Sequence, residues 1–178
     1  MDCANKPLRV MFQDEARFGR ISAPTACWAP PGIRPKVGMQ MQREYIYIFG
    51  AVSPHDGTHD SFILPSANSE TMSIFLEEVS RRHSNEHIVM FMDQAGWHKS
   101  SSLVIPKNIE IAFLPPYSPD LNPQEQIWDE IREKYFRNRI FKSLDVVMDV
   151  AVKALRALEE LPEKIKSITH RDWILNSY

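Results

Sequence analysis

The chain has 178 residues, 43% of them hydrophobic and 25% charged, with a formal net charge of −2. That is one domain, long enough to bury a core without disulfides or structural metal, and too acidic overall to coat nucleic acid by charge alone. Two cysteines, Cys3 and Cys27, form neither a zinc motif nor a disulfide framework, and no apolar run matches a membrane span or the core of a signal peptide, so a reducing, cytoplasmic setting without membrane contact is expected.

The first strand is expected over Leu8–Asp14, an apolar run that stops abruptly on Gln13, Asp14 and Glu15. From Gly19 to Gln42, four prolines with Gly32 and Gly38 among them predict a loop, with a short strand near Ala26–Ala29. Tyr45–Val52 is aromatic and β-branched and reads as a buried strand. The turn Ser53-Pro54-His55-Asp56-Gly57 joins it to a partner strand at Asp60–Leu64. Asn68 caps a helix whose Met72, Phe75, Leu76 and Val79 share one face. His87–Met92 is a continuous apolar run, the pattern of a strand covered on both sides, and it too ends on an acid, Asp93. A short helix is predicted from His98 to Val104, then a buried strand at Ile109–Leu114. Pro115, Pro116 and Pro119 enforce an extended loop. Asn122–Asn138 reads as a helix with Ile127, Trp128, Ile131 and Tyr135 inward. Ser143 caps another, marked by Leu144, Val147, Ala151, Leu155 and Leu158, and a last helix covers Glu163–His170. A hairpin followed by alternating strands and helices implies an α/β fold, a mixed sheet flanked by helices. An RNase H-like domain has this layout, as do several other α/β folds.

Two strands thus deliver aspartates, Asp14 and Asp93, at their carboxyl ends, where open α/β sheets carry their chemistry. Two carboxylates brought together repel, and a hard divalent cation removes that cost. Each aspartate taken singly is more simply the start of a turn. Glu125, in Asn122-Pro123-Gln124-Glu125, has its own local explanation: Asn122 as N-cap, Pro123 at the first helical position and Glu125 completing a capping box. The functional alternative has Glu125 lying over the sheet, three residues before the buried Trp128.

Three strings carry a resemblance: Phe12-Gln13-Asp14-Glu15-Ala16-Arg17-Phe18-Gly19, Met92-Asp93-Gln94-Ala95-Gly96-Trp97-His98-Lys99, and the long run from Leu114 to Trp128 that contains Ser118-Pro119-Asp120-Leu121-Asn122-Pro123. They resemble the catalytic segments of DDE transposases of the mariner superfamily, in its bacterial insertion-sequence branch. The likeness runs from about Arg9 to Phe141. It implies a single RNase H-like catalytic domain with a five-stranded sheet, and Asp14, Asp93 and Glu125 as a metal-binding catalytic triad. It implies two Mg²⁺ or Mn²⁺ ions, Asp14 on both. Between Asp93 and Glu125 stand 31 residues (125 − 93 − 1), a few fewer than the family usually has. The helix-turn-helix segments that precede the first catalytic strand in the family are absent, so an excised domain, a truncated gene product or one half of a split reading frame is expected.

The reaction so implied is hydrolysis of a DNA phosphodiester, then attack of the freed 3′-hydroxyl on target DNA at a TA step, by a homodimer that pairs two element ends. His98 and Lys99 are candidates for touching phosphate or orienting water, against the plainer reading that they begin a helix. Arg17, Arg20 and Asn122 are auxiliary or DNA-contacting candidates. Arg132, Lys134, Arg137, Arg139 and Lys142 form a basic run, equally readable as a solvent face because Glu130 and Glu133 interleave. Trp97 could stack on a base, with core packing the simpler use. The competing readings are another RNase H-like nuclease, and a catalytically silent fragment that binds DNA or a partner subunit.

Overall fold

A computed structural model of the chain describes residues 6–22 and 24–175, the last by its backbone alone; Cys3 and the N-terminal stretch weighed as a signal peptide lie outside them. The strands are β1 (Leu8–Ile21), β2 (Met41–Ser53), β3 (Thr58–Leu64), β4 (His87–Met92) and β5 (Ile109–Phe113). They form one mixed sheet in the order β3-β2-β1-β4-β5. The first three are antiparallel, while β1–β4 and β4–β5 are parallel. The helices are α1 (Ser69–Arg82), α2 (Gln124–Ile131), α3 (Leu144–Glu159), α4 (Pro162–Thr169) and the short α5 (Asp172–Leu175).

The helices divide between the two faces of the sheet. Helix α1 sets Met72, Phe75, Leu76 and Val79 against Met11, Phe49, Ala51, Met90 and Met92. Its start is fixed reciprocally: the Asn68 side chain accepts from the Thr71 N–H, and Thr71 Oγ1 accepts from the Asn68 N–H. On the other face, Ile127, Trp128 and Ile131 of α2, the apolar stripe of α3 and Ile165 of α4 cover Val10, Phe12, Ala16, Phe18, Ile48 and Val52. Each large side chain so buried contributes roughly 1.5–3 kcal/mol. Helix α2 lies directly on β2 because residue 50 is glycine. A Cβ there would stand 2.5 Å from Gln124 Nε2 and 2.7 Å from the edge of the Trp128 ring.

Several expectations need correction. Strand β1 does not stop at Asp14 but pairs with β2 as far as Ile21. Asp14, Ala16 and Phe18 alternate on one face, and that period-2 signal was masked by the charges at Asp14, Glu15 and Arg17. Among the described residues, Ser22 and residues 24–40 form no helix or strand, so no strand stands near Ala26–Ala29. His98–Val104 is a set of turns, not a helix. Its serines satisfy backbone locally, Ser100 Oγ accepting from the Ser102 N–H, in competition with helical bonding. The helix expected over Asn122–Asn138 is α-helical only to Ile131, then widens to a π-type turn over Arg132–Phe136. Asn138, at φ 54°, is left-handed and ends it. Among the described residues no helix is long and apolar enough to cross a membrane.

Candidate active site

The parallel ladder between β1 and β4 runs from Leu8↔His87 to Phe12↔Phe91. Beyond it β4 ends and β1 continues with β2 alone, which opens the sheet on one side. Asp14 and Asp93 both lie just past that point. Strand alternation turns Asp14 toward the face covered by α2, whose first turn carries Glu125. All three carboxylates line one cleft of about 510 Å³, together with Gln94, Lys99 and the rim Leu114–Pro119.

Each aspartate has one oxygen tied down. Trp128, fully buried, donates its indole N–H to Asp14 Oδ2 at 2.9 Å. Asp93 Oδ1 accepts from the Ala95 N–H at 2.9 Å and lies 2.8 Å from His98 Nδ1. Neither Asp14 Oδ1 nor Asp93 Oδ2 accepts from another side chain among the described residues, while the Glu15 backbone N–H also acts on the Asp14 carboxylate. Glu125 is half-buried, and its carboxylate accepts none. The expected capping box does not form: the N-cap of α2 is Pro123, which has no side-chain cap, and Asn122, one residue before it, accepts from the Gln124 N–H through Oδ1. Glu125 is thus left free to face the cleft.

The electrostatics of the cleft are unfavourable without a cation. Burial pushes the Asp14 carboxyl up to about 7, helped by the negative charges of Glu125 and Glu15 and only partly offset by the Trp128 N–H. Burial also raises Glu125, against the partly opposing charge of Arg132 and with the help of Asp129 and Asp93. Asp93 is held low by its hydrogen bond from His98. The donor set is all oxygen, with an open oxygen on each aspartate, and suits a hard divalent ion. Among the described residues no three His, Cys, Asp or Glu side chains are gathered closely enough to cage one ion. Magnesium is commonly held by one or two carboxylates and completed by water and phosphate oxygens.

The auxiliary candidates separate by placement. His98 does not face the cleft as a phosphate contact. Its side chain is 1% exposed, and Nε2 lies 2.9 Å from Glu15 Oε1. Lys99 does line the cleft, donating to Gln94 Oε1 and lying over the Phe113 ring. Asn122 is buried, and its Nδ2 donates to the Gln13 carbonyl at 2.8 Å, which makes it a brace between β1 and α2 rather than a DNA contact. Arg20 likewise braces the fold, donating to the carbonyls of Phe141 and Lys142 and pairing with Glu44. Arg17 is exposed and lies over the Tyr45 ring. In the basic run, Lys134 pairs with Glu130 and Arg137 with Glu133. Trp97 is half-exposed and donates to Glu15. Sequence reasoning missed Glu15 and the Trp128 N–H; the one available signal was that a buried tryptophan needs an acceptor.

Residues 9–147 match the model of a family described as DDE superfamily endonuclease. The chain belongs to the DDE superfamily of endonucleases. It is 42% identical over 130 residues to the uncharacterized protein y4pE/y4sA of Sinorhizobium fredii (strain NBRC 101917 / NGR234), an alignment that covers 72% of this chain and 96% of that one. Among solved structures, this DDE-family chain is similar to the pre-cleavage Mos1 transpososome (TM-score 0.60, 14% identity, 90% of this chain and 55% of that one). It is similar also to the Mos1 mariner paired end complex with Mn (TM-score 0.59, 16% identity, 92% and 56%) and to the Mos1 Strand Transfer Complex (TM-score 0.58, 15% identity, 90% and 53%). The DDE domain here therefore shares the RNase H-like fold of these Mos1 chains, and spans about half their length.

Proposed function

We propose that this chain is a transposase catalytic domain that cuts DNA strands at insertion-sequence ends and joins them to target DNA, using Mg²⁺ or Mn²⁺. The observation that carries the reading is the shared cleft of Asp14, Asp93 and Glu125, where two carboxyls are raised by burial and by their acidic neighbours. Membership of the DDE endonuclease family supports it, as does the likeness to Mos1 complexes solved with Mn and with Mg.

In this reading Asp14, Asp93 and Glu125 would hold two divalent ions, with Asp14 shared between them. Divalent ions so held would neutralise charge on the attacking and leaving oxygens of the scissile phosphate. The protein's own contribution is placement. Trp128 fixes the Asp14 carboxylate, Ala95 and His98 fix that of Asp93, and α2 carries Glu125 to the cleft. Lys99 stands at the cleft wall, within reach of a phosphate backbone. Arg17 and Arg132 line a neighbouring groove of about 610 Å³ along α2, where backbone phosphates flanking the cut would lie. Cleavage by water leaves a 3′-hydroxyl, which then attacks a target phosphodiester at a TA step. Pairing two ends calls for a homodimer, and reading the ends for a helix-turn-helix segment, here or separately encoded.

The test is nicking of a duplex carrying the element end in Mg²⁺, by the wild-type chain and by Asp14→Asn and Asp93→Asn. Cleavage that survives either substitution overturns the assignment. Cleavage of branched DNA or RNA–DNA hybrids with no preference for element ends would instead indicate another RNase H-like nuclease. A folded chain that binds the duplex but never nicks it would be a silent fragment.

A further inference from the structure

Glu15 belongs to neither the carboxylate set nor the core. It follows Asp14 in β1, so alternation sends the two side chains to opposite faces of the sheet. A carboxylate only 8% exposed needs a reason, since burying an unpaired charge is costly. Its Oε1 accepts from the Trp97 indole N–H at 3.3 Å and lies 2.9 Å from His98 Nε2. The other ring nitrogen, Nδ1, lies 2.8 Å from Asp93 Oδ1 and 3.1 Å from the Asp93 backbone carbonyl, so it faces both acceptors of that residue. Carboxylates accept and do not donate, so a ring between two of them donates from both nitrogens. The result is a continuous chain, Glu15–His98–Asp93, running from the middle of β1 to the end of β4.

The mechanical need for such a chain is evident. Asp93 lies past the last residue of β4, with its side chain 59% exposed, and residues 93–108 form no helix or strand. Asp14 sits within a strand and Glu125 within a helix, so the fold itself holds their backbones. Besides one N–H, from Ala95 in the same loop, His98 is the group that fixes the orientation of the Asp93 carboxylate. The ring is nearly sealed from solvent and anchored at its far end by Glu15. Both anchoring bonds, His98 and Ala95, fall on Oδ1, which leaves Oδ2 for a ligand.

We infer that Glu15 is a positioning residue for the proposed metal site: through His98 it sets the orientation of the Asp93 carboxylate, without touching the ion or the DNA. This rests on the reading of the cleft given above. Outer partners of this kind alter metal affinity by about 10- to 100-fold when removed.

The test compares the full-length wild-type chain with Glu15→Ala, Glu15→Gln and Asp14→Asn. Mn²⁺ binding by calorimetry, the Mg²⁺ dependence of duplex nicking and the melting temperature are measured for each. Glu15→Gln keeps an oxygen that can accept from His98 Nε2, so it should retain most of the affinity. Glu15→Ala should weaken Mn²⁺ binding by about 10-fold and move the Mg²⁺ midpoint for nicking upward by the same factor, with the plateau rate recovered at high Mg²⁺. A purely structural role would lower the melting temperature in both variants and leave the metal midpoint of the folded protein where it was. That outcome overturns the inference, as does a folded Glu15→Ala chain with wild-type affinity. Should Glu15→Ala fail to fold, Glu15→Gln and His98→Asn carry the test: metal binding near wild-type in the first and weakened in the second supports the inference, and equal affinity in the two overturns it. A wild-type chain that takes up no Mn²⁺ sinks the metal reading of the cleft, and the inference with it; a wild-type chain that binds while Asp14→Asn does not keeps that reading intact whatever Glu15 does.

Discussion

The two ends of the sheet hold similar acids in opposite circumstances. At the amino end of β1, Arg9 pairs with Asp56 and Glu86, and Asp60 takes His83 at 2.7 Å and Arg82 at 2.9 Å. Burial alone would raise Asp60 and Asp56, but His83 and Arg82 more than offset it at Asp60, and the Thr58 backbone N–H together with Arg9 does so at Asp56, so both lie below the ordinary carboxylate range. At the carboxyl end, Asp14 and Glu125 have no basic partner in hydrogen-bonding contact, and burial raises them. One end is a neutralised clamp that closes the β2–β3 turn against α1. The other keeps an uncompensated negative charge that a bound cation would stabilise. The contrast teaches that burial marks neither a structural acid nor a functional one; what matters is whether the fold supplies the opposite charge.

The largest expected effect separates the ends by activity. Asp14→Asn, Asp93→Asn and Glu125→Gln should each lower strand cleavage by on the order of 10³-fold, the equivalent of the several kcal/mol a metal supplies to the transition state. Asp60→Asn should leave the metal dependence of cleavage unchanged. An Asp60 variant that lost metal response would erase the distinction.

Stability should show the reverse. Burial pushes the folded Asp14 carboxyl up to about 7, above its unfolded value, so the metal-free chain loses stability as pH rises from about 4 through 7, by roughly 4 kcal/mol in all. Asp14→Asn should flatten that part of the profile, and Mn²⁺ should restore the wild-type melting temperature at pH 8. A wild-type chain equally stable at pH 5 and pH 8 without metal would count against the uncompensated cleft.

The amino end has the opposite signs. Asp60 sits below its usual pKa and His83 above, the latter chiefly through its hydrogen bond to Asp60. Their contribution is greatest at pH 4–6.5, lost below it as Asp60 protonates and lost above it as pH rises through the raised His83 value. Asp60→Asn should cost about 3 kcal/mol in that window, as expected for breaking a buried pair. The melting temperature across pH in the variant and the wild type decides it.

The smallest effect links packing to the site. Gly50→Ala forces α2 off β2 and should destabilise by about 1–3 kcal/mol. Because α2 carries both Glu125 and the Trp128 donor, Mn²⁺ affinity should fall too. Unchanged affinity in a destabilised Gly50→Ala protein would mean that the cleft tolerates displacement of the helix.

Much of this was readable along the chain. The apolar stripe of Met72, Phe75, Leu76 and Val79, the cap at Asn68, and the unbroken His87–Met92 run are local signals whose period survives in the fold. Asp14 and Asp93 stood out by closing apolar runs, and Glu125 by the distinctive string that carries it to a helix start. Charge on alternate residues hid the true length of β1, and serines that bond their own backbone undid the expected helix after His98. Glu15 gave no sign, because its role depends on a loop 83 residues away.

By itself the sequence determined the core strands and the amphipathic helices α1 and α3 with their caps, since hydrophobic period and capping act over a few residues. Only the tertiary structure decided that Glu125 is free of its cap, that Asp14 accepts from Trp128, and that His98 turns inward to Glu15 instead of outward to solvent. Those outcomes hang on charge and hydrogen bonding between groups distant along the chain. Their energies depend on burial, and burial exists only once α2 and the 93–108 loop have closed over the sheet.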